Sequence, residues 1–376
     1  MKPFFVDPQP ELEGRLQAFL DRMGRDAGEQ ADRLGISALV LGGGYGRGEG
    51  GVFDPGNREP LRFYNDLEFY LFTRTSASEE LRRWVHRYEK QGSEELGVPV
   101  EIRLLPLAWI ERSAPSMFLY DLIKGHQVVF GPTDLLEAGK HGERAESANI
   151  PLHEATRLLF NRGSGLLFSG AMLAGVLPHE DEGFIQRNHA KLRLALGDAI
   201  LVANRQYHWS CRKRAVRVLD NPPERPPMWE EIRLLHGAGV AFKLRPRHDL
   251  LDEHELKRRQ EQLRQVWAST FLWIESKRLG QNFADLKTYS KHSGRILPEF
   301  PAWKNVLMRV RDWARYRQTL PHWTDYPRGV LQRALAEFLA ASELPWRAGA
   351  AARLGSVDKD PAEALRRYRT WWARYN

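Results

Sequence analysis

Residues 65–72 have the sequence NDLEFYLF, in which two carboxylates alternate with apolar side chains. Successive side chains of a β-strand point to opposite faces, so Asp66 and Glu68 share a face with their Cα atoms roughly 6.6 Å apart. Two carboxylates that converge repel each other unless a cation lies between them, and Mg²⁺ binds such oxygen pairs together with substrate phosphates. The alternative is an acidic pair on a solvent-facing strand. Burial of the predicted strand, Leu61–Phe72, is favoured by its aromatic residues: Phe63, Tyr64, Phe69, Tyr70 and Phe72.

A third carboxylate, Glu101, lies in the next predicted strand, Val98–Leu105, in which Pro99 indicates either an edge position or the start of the strand. If the two strands are neighbours, Glu101 completes a triad with the acidic pair. Alternatively, Glu101 pairs with Arg103 on an exposed face. The sequence leaves both interpretations open.

Upstream of the acidic strand, a short apolar strand is predicted at Ile36–Leu41, followed by GGGYGRGEGG at residues 42–51. Glycines at this density indicate positive φ angles or close approach to a ligand, and their N–H groups can bind phosphate. Residues 46–51 match the dinucleotide fingerprint G-x-G-x-x-G, but residues 52–57, VFDPGN, cannot begin the helix that this fingerprint requires. A Walker A loop and a protein-kinase loop are excluded because both lack their essential lysine here. A glycine-rich turn without a ligand remains an alternative.

Together these features resemble the polymerase-β-type nucleotidyltransferase superfamily over residues 36–131. The signature of that family is a strand, a G-S-x-A-R-G-like turn, a strand bearing S-D-x-[D/E], and a third acid on a later strand. Gly43-Gly44 stand at the G-S pair and Arg47-Gly48 at R-G, so Gly44 replaces a serine that usually contacts nucleotide phosphate. The segment from residue 50 to residue 65 is also longer than usual in the family.

The resemblance implies transfer of a nucleoside monophosphate from a nucleoside triphosphate, with ATP as the expected donor, to a hydroxyl of a small molecule or a protein. It implies that Asp66, Glu68 and Glu101 are catalytic and hold Mg²⁺ or Mn²⁺ in a two-metal mechanism. It also implies that a run of five residues binds the nucleotide: Gly43, Gly44, Tyr45, Gly46 and Arg47. Alternatives are a non-catalytic member that binds nucleotide or a partner, and an RNA-modifying nucleotidyltransferase.

Composition predicts two domains of different character. The 376 residues exceed what one core usually organises, and the net charge of +8 is divided unequally. Residues 1–150 carry 18 Lys and Arg against 24 Asp and Glu, so the rest of the chain has a net charge of +14. We expect an α+β fold, with a nucleotidyltransferase-like mixed sheet and flanking helices over residues 1–148, followed by an all-α domain over residues 149–376.

Apolar periodicity predicts the helices of both halves. In the first half these are Pro10–Leu34, Ser78–Leu96 and Ser116–Lys124, with a fourth strand at Gln127–Phe130. In the second half they are Leu152–Ala174, Phe184–Tyr207, Trp229–Phe242, His254–Leu279 and Val330–Ala341.

The remaining expectations concern location and partners. A single cysteine, Cys211, excludes a disulfide within the chain, and neither a signal peptide nor a membrane span is recognisable, so we expect a cytoplasmic protein that does not contact a membrane. In the second half, Lys191 and Asp198 lie along one helical face and are candidates for binding the acceptor, as are Asn161 and Arg162. Alternatively, Asp198 pairs with Lys191 or with a basic residue elsewhere for structural reasons. Clusters of Lys and Arg, some beside tryptophans, leave RNA binding open.

Overall fold

In a computed structural model, the described residues are 2–56, 59–178, 180–181, 183–247, 251–297, 300–316, 320–340, 350, 354 and 361–375. The chain forms two compact units. The first contains Met1–Pro151, Asn204–Pro222 and Gly237–Arg247, and the second contains Leu152–Ala203, Pro223–His236 and His248–Asn376. The first unit thus ends near the predicted boundary at residue 148, but it also recruits two segments from the half that was expected to form the helical domain.

The first unit contains a four-stranded mixed sheet and a separate two-stranded ribbon. The sheet has the order β5-β4-β1-β6, in which β1 is antiparallel to β4 and β6 while β4 is parallel to β5. The strands are β1 (Ile36–Leu41), β2 (Val52–Phe53), β3 (Arg62–Phe63), β4 (Leu67–Thr73), β5 (Val100–Pro106) and β6 (Gln127–Phe130). The predictions of β1, of β6 and of an edge position for β5 are confirmed.

Helices cover both faces of this sheet. Those that precede residue 151 are α1 (Pro10–Glu29), α2 (Ala31–Leu34), α3 (Gly43–Gly46), α4 (Glu79–Leu96), α5 (Trp109–Arg112) and α6 (Met117–Lys124). Leu67, Phe69 and Leu71 of β4 pack in one core with α1 and α4. Tyr70 and Phe72 pack in a second core with α6, so the alternation along β4 places Glu68 on the α6 side of the sheet.

The prediction of one continuous strand over Leu61–Phe72 is wrong, because the chain leaves the sheet geometry between β3 and β4. The Asn65 side chain accepts a hydrogen bond from the N–H of Gly51 at 2.8 Å, and the Tyr64 N–H donates to the Tyr45 hydroxyl at 3.2 Å. These long-range contacts satisfy backbone groups that a sheet would otherwise pair. Asp66 consequently lies immediately before β4 rather than within it.

The rest of the chain contains no strand among the residues described. Its helices are α7 (His153–Leu173), α8 (Phe184–Ala203), α9 (Cys211–Leu219), α10 (Trp229–Leu244), α11 (Glu253–Leu279), α12 (Leu286–Ser290), α13 (Ala302–Tyr316), α14 (Pro327–Leu339) and α15 (Pro361–Tyr375). Periodicity predicted α7, α8, α10, α11 and α14 but missed the others, and the last residue predicted for α14, Ala341, lies outside the described residues. None of the described helices combines the length and the apolar character that crossing a membrane requires.

Candidate functional site

The three predicted acidic residues lie together at one end of the β4–β5 pair. Glu68 is the direct neighbour of Glu101 in the parallel register, on strands about 4.8 Å apart, and Asp66 precedes β4 by one residue. Because side chains paired in this way point to the same face, the sheet aligns Glu68 with Glu101.

Electrostatic repulsion is evident at Glu101. Partial burial, followed by the negative charges of Asp66 and Glu68, raises its pKa above the ordinary value. The alternative partner, Arg103, lies over the Phe118 ring instead, with its guanidinium carbon 5.4 Å from the ring centroid. In the described residues Glu101 and Arg103 form no ion pair, although Glu101 is exposed, as that alternative expected.

The glycine turn packs directly against Glu68. Gly43 has a φ of +60°, and a Cβ added to it would lie 2.9 Å from Glu68 Oε1. The Gly42 N–H also donates to the backbone carbonyl of Glu68 at 2.8 Å. The other carboxylate oxygen of Glu68 accepts a hydrogen bond from the Tyr70 hydroxyl at 2.8 Å. Glycine is therefore required at position 43 both for the backbone conformation and for the space beside the carboxylate.

Only part of the predicted nucleotide-binding run is open to a ligand. The N–H of Gly46 donates to the carbonyl of Gly42 at 2.8 Å, whereas the N–H groups of Gly43, Gly44 and Tyr45 donate no hydrogen bond within the described chain. The Tyr45 side chain is fully buried, and its hydroxyl donates to the Gly51 carbonyl at 3.2 Å. Tyr45 thus holds the loop through its side chain and can offer a ligand only its backbone.

Arg47 begins the basic side of the site. Its Nη1 donates to Asp121 Oδ2 at 3.0 Å, and the Tyr207 hydroxyl donates to the same oxygen at 3.1 Å. Burial lowers the pKa of Arg47, but the charges of Asp121 and Glu68 outweigh that effect and raise it. The buried Nε of Arg47 has no hydrogen-bond partner in the part of the chain that the structure describes. This arginine therefore retains an unused donor near the acidic residues.

Helix α9 supplies a second arginine and explains why a glutamate lies in the glycine loop. Arg214 donates to the Tyr207 hydroxyl at 3.3 Å and lies over the ring of that tyrosine. The buried carboxylate of Glu49 accepts from the Ser210 hydroxyl at 2.6 Å and from the Cys211 N–H at 2.9 Å. Although burial acts in the opposite direction, these hydrogen bonds lower the pKa of Glu49. Glu49 thus anchors the first turn of α9 to the glycine loop.

Lys243, near the end of α10, is a site residue that the sequence analysis missed. Its side chain is half-buried, and no hydrogen bond or ion pair engages its ammonium group among the described residues. A Cβ on Gly51 would lie 2.9 Å from the Lys243 carbonyl, which places this end of α10 against the glycine loop. Burial, followed by the positive charges of Arg47 and Arg214, lowers the pKa of Lys243. Three cations therefore adjoin one another; the charge of Glu49 opposes this shift, and among the described residues no carboxylate forms an ion pair with Lys243.

A neighbouring histidine, His208, lies in the same positive potential. Burial and the charges of Arg217 and Arg214 lower the pKa of His208 to about 4. The two recruited segments, Asn204–Pro222 and Gly237–Arg247, contribute eight basic residues and one acidic residue, which change the net charge of the first unit from −6 to +1. Basic segments are thus folded onto an acidic core, an arrangement suited to an anion that carries a divalent cation.

The predicted metal ligands do not form a complete protein cage. In the described part of the chain, no group of three or more His, Cys, Asp or Glu side chains is arranged to hold one metal ion. Asp66 and Glu68 are therefore close enough to Glu101 for their charges to affect its pKa, but the three carboxylates do not converge on a single point. Any ion at this site must take other ligands from its substrate or from water.

The candidates for acceptor binding lie in the second unit. Asp198 is buried, and its Oδ1 lies 3.1 Å from Nε2 of His236. Burial lowers the pKa of Arg162, although the nearby charge of Asp198 opposes this shift. Lys191 is exposed at the surface of α8. The structure thus brings Asp198 together with His236 and Arg162, and a pairing of Asp198 with a basic side chain is observed.

The basic runs of the second unit are paired with carboxylates. On α11, Lys257 pairs with Glu253, while Arg258 and Arg259 both pair with Glu255. Such pairs between helical neighbours are typical of a solvated helix face. These ion pairs are explained without RNA, and RNA binding therefore stays a prediction. On the last helix, Arg366 pairs with Glu363, and Arg369 pairs with Glu180, which lies outside that helix.

No protein-family model matches the chain, and no curated protein is significantly similar to it. The resemblance to nucleotidyltransferases therefore rests on the residues themselves: the glycine turn, the D-x-E motif and the third carboxylate. Arg214 and Lys243 had no local signal, because the basic run at residues 212–214 is also typical of a solvated helix.

Proposed function

We propose that the chain is a nucleotidyltransferase that moves a nucleoside monophosphate from a nucleoside triphosphate, with ATP as the expected donor, to a hydroxyl group, and releases pyrophosphate. The observation that carries the proposal is the β4–β5 register, which aligns Glu68 with Glu101 beside the glycine turn. Cations surround the other part of the same turn. A metal–triphosphate complex needs both features, carboxylate oxygens for the ion and positive donors for the phosphates.

The residues fit a divalent ion that arrives with its nucleotide. Mg²⁺ commonly binds one or two carboxylates together with substrate phosphates and water, so Asp66 and Glu68 suffice without a third protein ligand. Partial burial, followed by the charges of Asp66 and Glu68, raises the pKa of Glu101, and a cation would relieve the electrostatic part of this effect. When bound, Mg²⁺ or Mn²⁺ would neutralise phosphate charge and clamp the attacking and leaving oxygens.

The chain's own groups perform the remaining steps. Arg47 and Lys243 bind the phosphates, and the free N–H groups of the glycine turn replace the hydroxyl that Gly44 removes. Glu101 accepts the proton of the attacking hydroxyl, and its raised pKa makes it a better base near neutral pH. The oxygen of that hydroxyl bonds to the α-phosphorus, and pyrophosphate leaves with the electrons of the broken P–O bond.

One observation favours a second candidate, a non-catalytic protein that binds nucleotide in the same place. The hydrogen bond from Tyr70 occupies one oxygen of Glu68, which reduces the oxygens ready for a metal ion. In this candidate the basic side of the site holds the phosphates, and no bond is broken.

A screen of the four nucleoside triphosphates with Mg²⁺, measuring both binding and pyrophosphate release, tests the proposal. We expect release with at least one nucleotide, and its loss in Asp66→Asn but not in Glu94→Gln, which changes an exposed carboxylate on α4. Unchanged release by Asp66→Asn would contradict the proposal. Binding without release in the unmodified chain would favour the non-catalytic candidate.

A further inference from the structure

Helix α13 faces the solvent with its apolar side and its own unit with its polar side. Trp303, Leu307 and Val310 are 62%, 60% and 47% exposed. On the opposite side, Asn305 and Asp312 are buried. A surface helix of a globular protein usually has the reverse orientation, because burial of its apolar side stabilises the fold. An exposed apolar stripe of this kind is typical of an interaction site.

Specific contacts hold α13 in this orientation. The Asn305 side chain donates to the Thr324 carbonyl at 3.0 Å, and the Arg374 guanidinium donates to the Asp312 carboxylate. Rotation of the helix to bury its apolar side would break both contacts and expose the partners. The apolar stripe is therefore a feature that the second unit presents to its surroundings.

The spacing of the stripe is that of a coiled-coil seam. Trp303, Leu307, Val310 and Ala314 are separated by four, three and four residues, and all are exposed. This is the alternation of a and d positions in a heptad repeat, over a length of about 16 Å. Trp313, which is 50% exposed, occupies a g position and extends the apolar surface on one side of the seam. The geometry of the seam is suited to one facing helix.

Charges beside the seam define the partner further. In the same heptad register, Lys304 and Arg311 occupy successive e positions, seven residues apart, and both are exposed. Within the described chain neither forms an ion pair, and the single acid of α13, Asp312, is buried. A second copy of this chain in antiparallel pairing would place these cations against each other, which opposes self-association. A partner with acidic residues beside its own seam would be complementary.

We propose that the seam formed by Trp303, Leu307, Val310 and Ala314 binds an amphipathic helix of another protein, whose apolar a and d positions are flanked by Glu or Asp. The apolar side chains supply the buried core of this interface. Lys304 and Arg311 pair with the acidic flank and set its register and direction.

Labelled synthetic peptides of three heptads, with Leu at a and d, provide the test. The first peptide has Glu at e and g, the second has Lys there, and the third has the composition of the first with its apolar residues out of register. Fluorescence anisotropy with the full chain should show the first peptide binding at least 10-fold more tightly than the others. Leu307→Glu should weaken this binding at least 10-fold, whereas Leu234→Glu, at a leucine that is 71% exposed on α10, should not.

Charge reversal on α13 provides a further test. The double variant Lys304→Glu with Arg311→Glu should bind the second peptide, which has Lys at e and g, more tightly than the first. Circular dichroism checks that each variant is folded. Equal binding of the first peptide by Leu307→Glu and Leu234→Glu, or equal binding of the first and third peptides, would overturn the proposal. It would also be overturned if Leu307→Glu alone converted a dimer of this chain to monomer, or abolished sedimentation with vesicles of phosphatidylserine and phosphatidylcholine.

Discussion

Two clusters of carboxylates differ in how their charge is satisfied: one is buried in the second unit, and the other lies largely exposed in the first. In the second unit, Glu275 is fully buried, and its carboxylate accepts hydrogen bonds from Thr156, Tyr289 and Arg278. In the first unit, Glu101 lies beside Asp66 and Glu68, and partial burial, followed by these two negative charges, raises its pKa. Hydrogen bonds within the chain satisfy the carboxylate of Glu275, whereas the charges of the carboxylates beside the glycine turn are not balanced in this way.

The difference separates structural charge from functional charge. A buried carboxylate whose acceptors are all used stabilises the fold and leaves nothing for a ligand. Carboxylates that repel one another reduce the stability of the folded protein, and the binding of a cation restores it. The same reasoning applies to Lys243, whose ammonium lies near Arg47 and Arg214 and forms no ion pair with a carboxylate among the described residues. We therefore expect mutations in the two clusters to have opposite profiles for activity and stability.

The largest expected effect is the loss of activity in Asp66→Asn. Pyrophosphate release should fall by about 1,000-fold or more, equivalent to about 4 kcal/mol of transition-state stabilisation. The melting temperature should stay constant or rise, because the change removes a charge that repels Glu101. A parallel fall of activity and melting temperature, measured by pyrophosphate assay and calorimetry, would make Asp66 a structural residue instead.

The converse is expected of Glu275→Gln. Loss of the charge leaves Arg278 buried beside a neutral group, which should reduce the free energy of unfolding by about 3–5 kcal/mol. Denaturant unfolding measures this change, and Glu253→Gln on the exposed face of the same helix is the control. A loss in Glu275→Gln no greater than in the control would show that complete hydrogen bonding does not identify structural charge here.

A smaller and pH-dependent effect is expected of Glu49→Gln. Because the folded state lowers the pKa of Glu49, its charge stabilises the fold above the unfolded pKa, and this contribution is lost as the pH falls through the folded value. At pH 7 the variant should therefore lose about 1.5–3 kcal/mol of unfolding free energy. The difference from the unmodified chain should shrink in acid, and a constant difference across pH 3 to 7 would contradict this account of the α9 anchor.

The smallest expected effect is that of Lys243→Ala, for which we predict an increase of about 10-fold in the KM for the nucleoside triphosphate. Stability should not fall by the amount typical of a lost ion pair, because the lysine has no ion-pair partner within the described residues. Lys213→Ala, at an exposed lysine of α9, should leave KM unchanged. An equal KM in both variants would exclude Lys243 from phosphate binding.

Local signals predicted much of the first unit. The strand Ile36–Leu41 was recognisable from its apolar run, and Gly35 after α2 and Ser78 before α4 are the caps that such sequences use. The period-two arrangement predicted Asp66 and Glu68 on one face of a single strand, whereas Asp66 lies immediately before β4. The split of the second strand depends on the contact between Asn65 and Gly51, which no local pattern predicts.

Sequence periodicity could not predict the residues on the basic side of the site, for a physical reason. Arg214 and Lys243 lie more than 160 residues from Arg47 along the chain and join it only because two segments of the later sequence fold with the first unit. Similarly, sequence periodicity missed α13, and which side of this helix faces inward depends on contacts such as that of Asn305 with Thr324.

The central claim is that the acidic and basic groups around the glycine turn form one site for a metal–nucleotide complex. Calorimetric titration of ATP, in Mg²⁺ and then in excess EDTA, tests it directly. We predict tight binding that depends on Mg²⁺ in the unmodified chain, weaker binding without Mg²⁺ dependence in Asp66→Asn, and weaker binding that keeps its Mg²⁺ dependence in Lys243→Ala. Equal affinity with and without Mg²⁺ in the unmodified chain, or the absence of binding by any of the four nucleoside triphosphates, would contradict the claim.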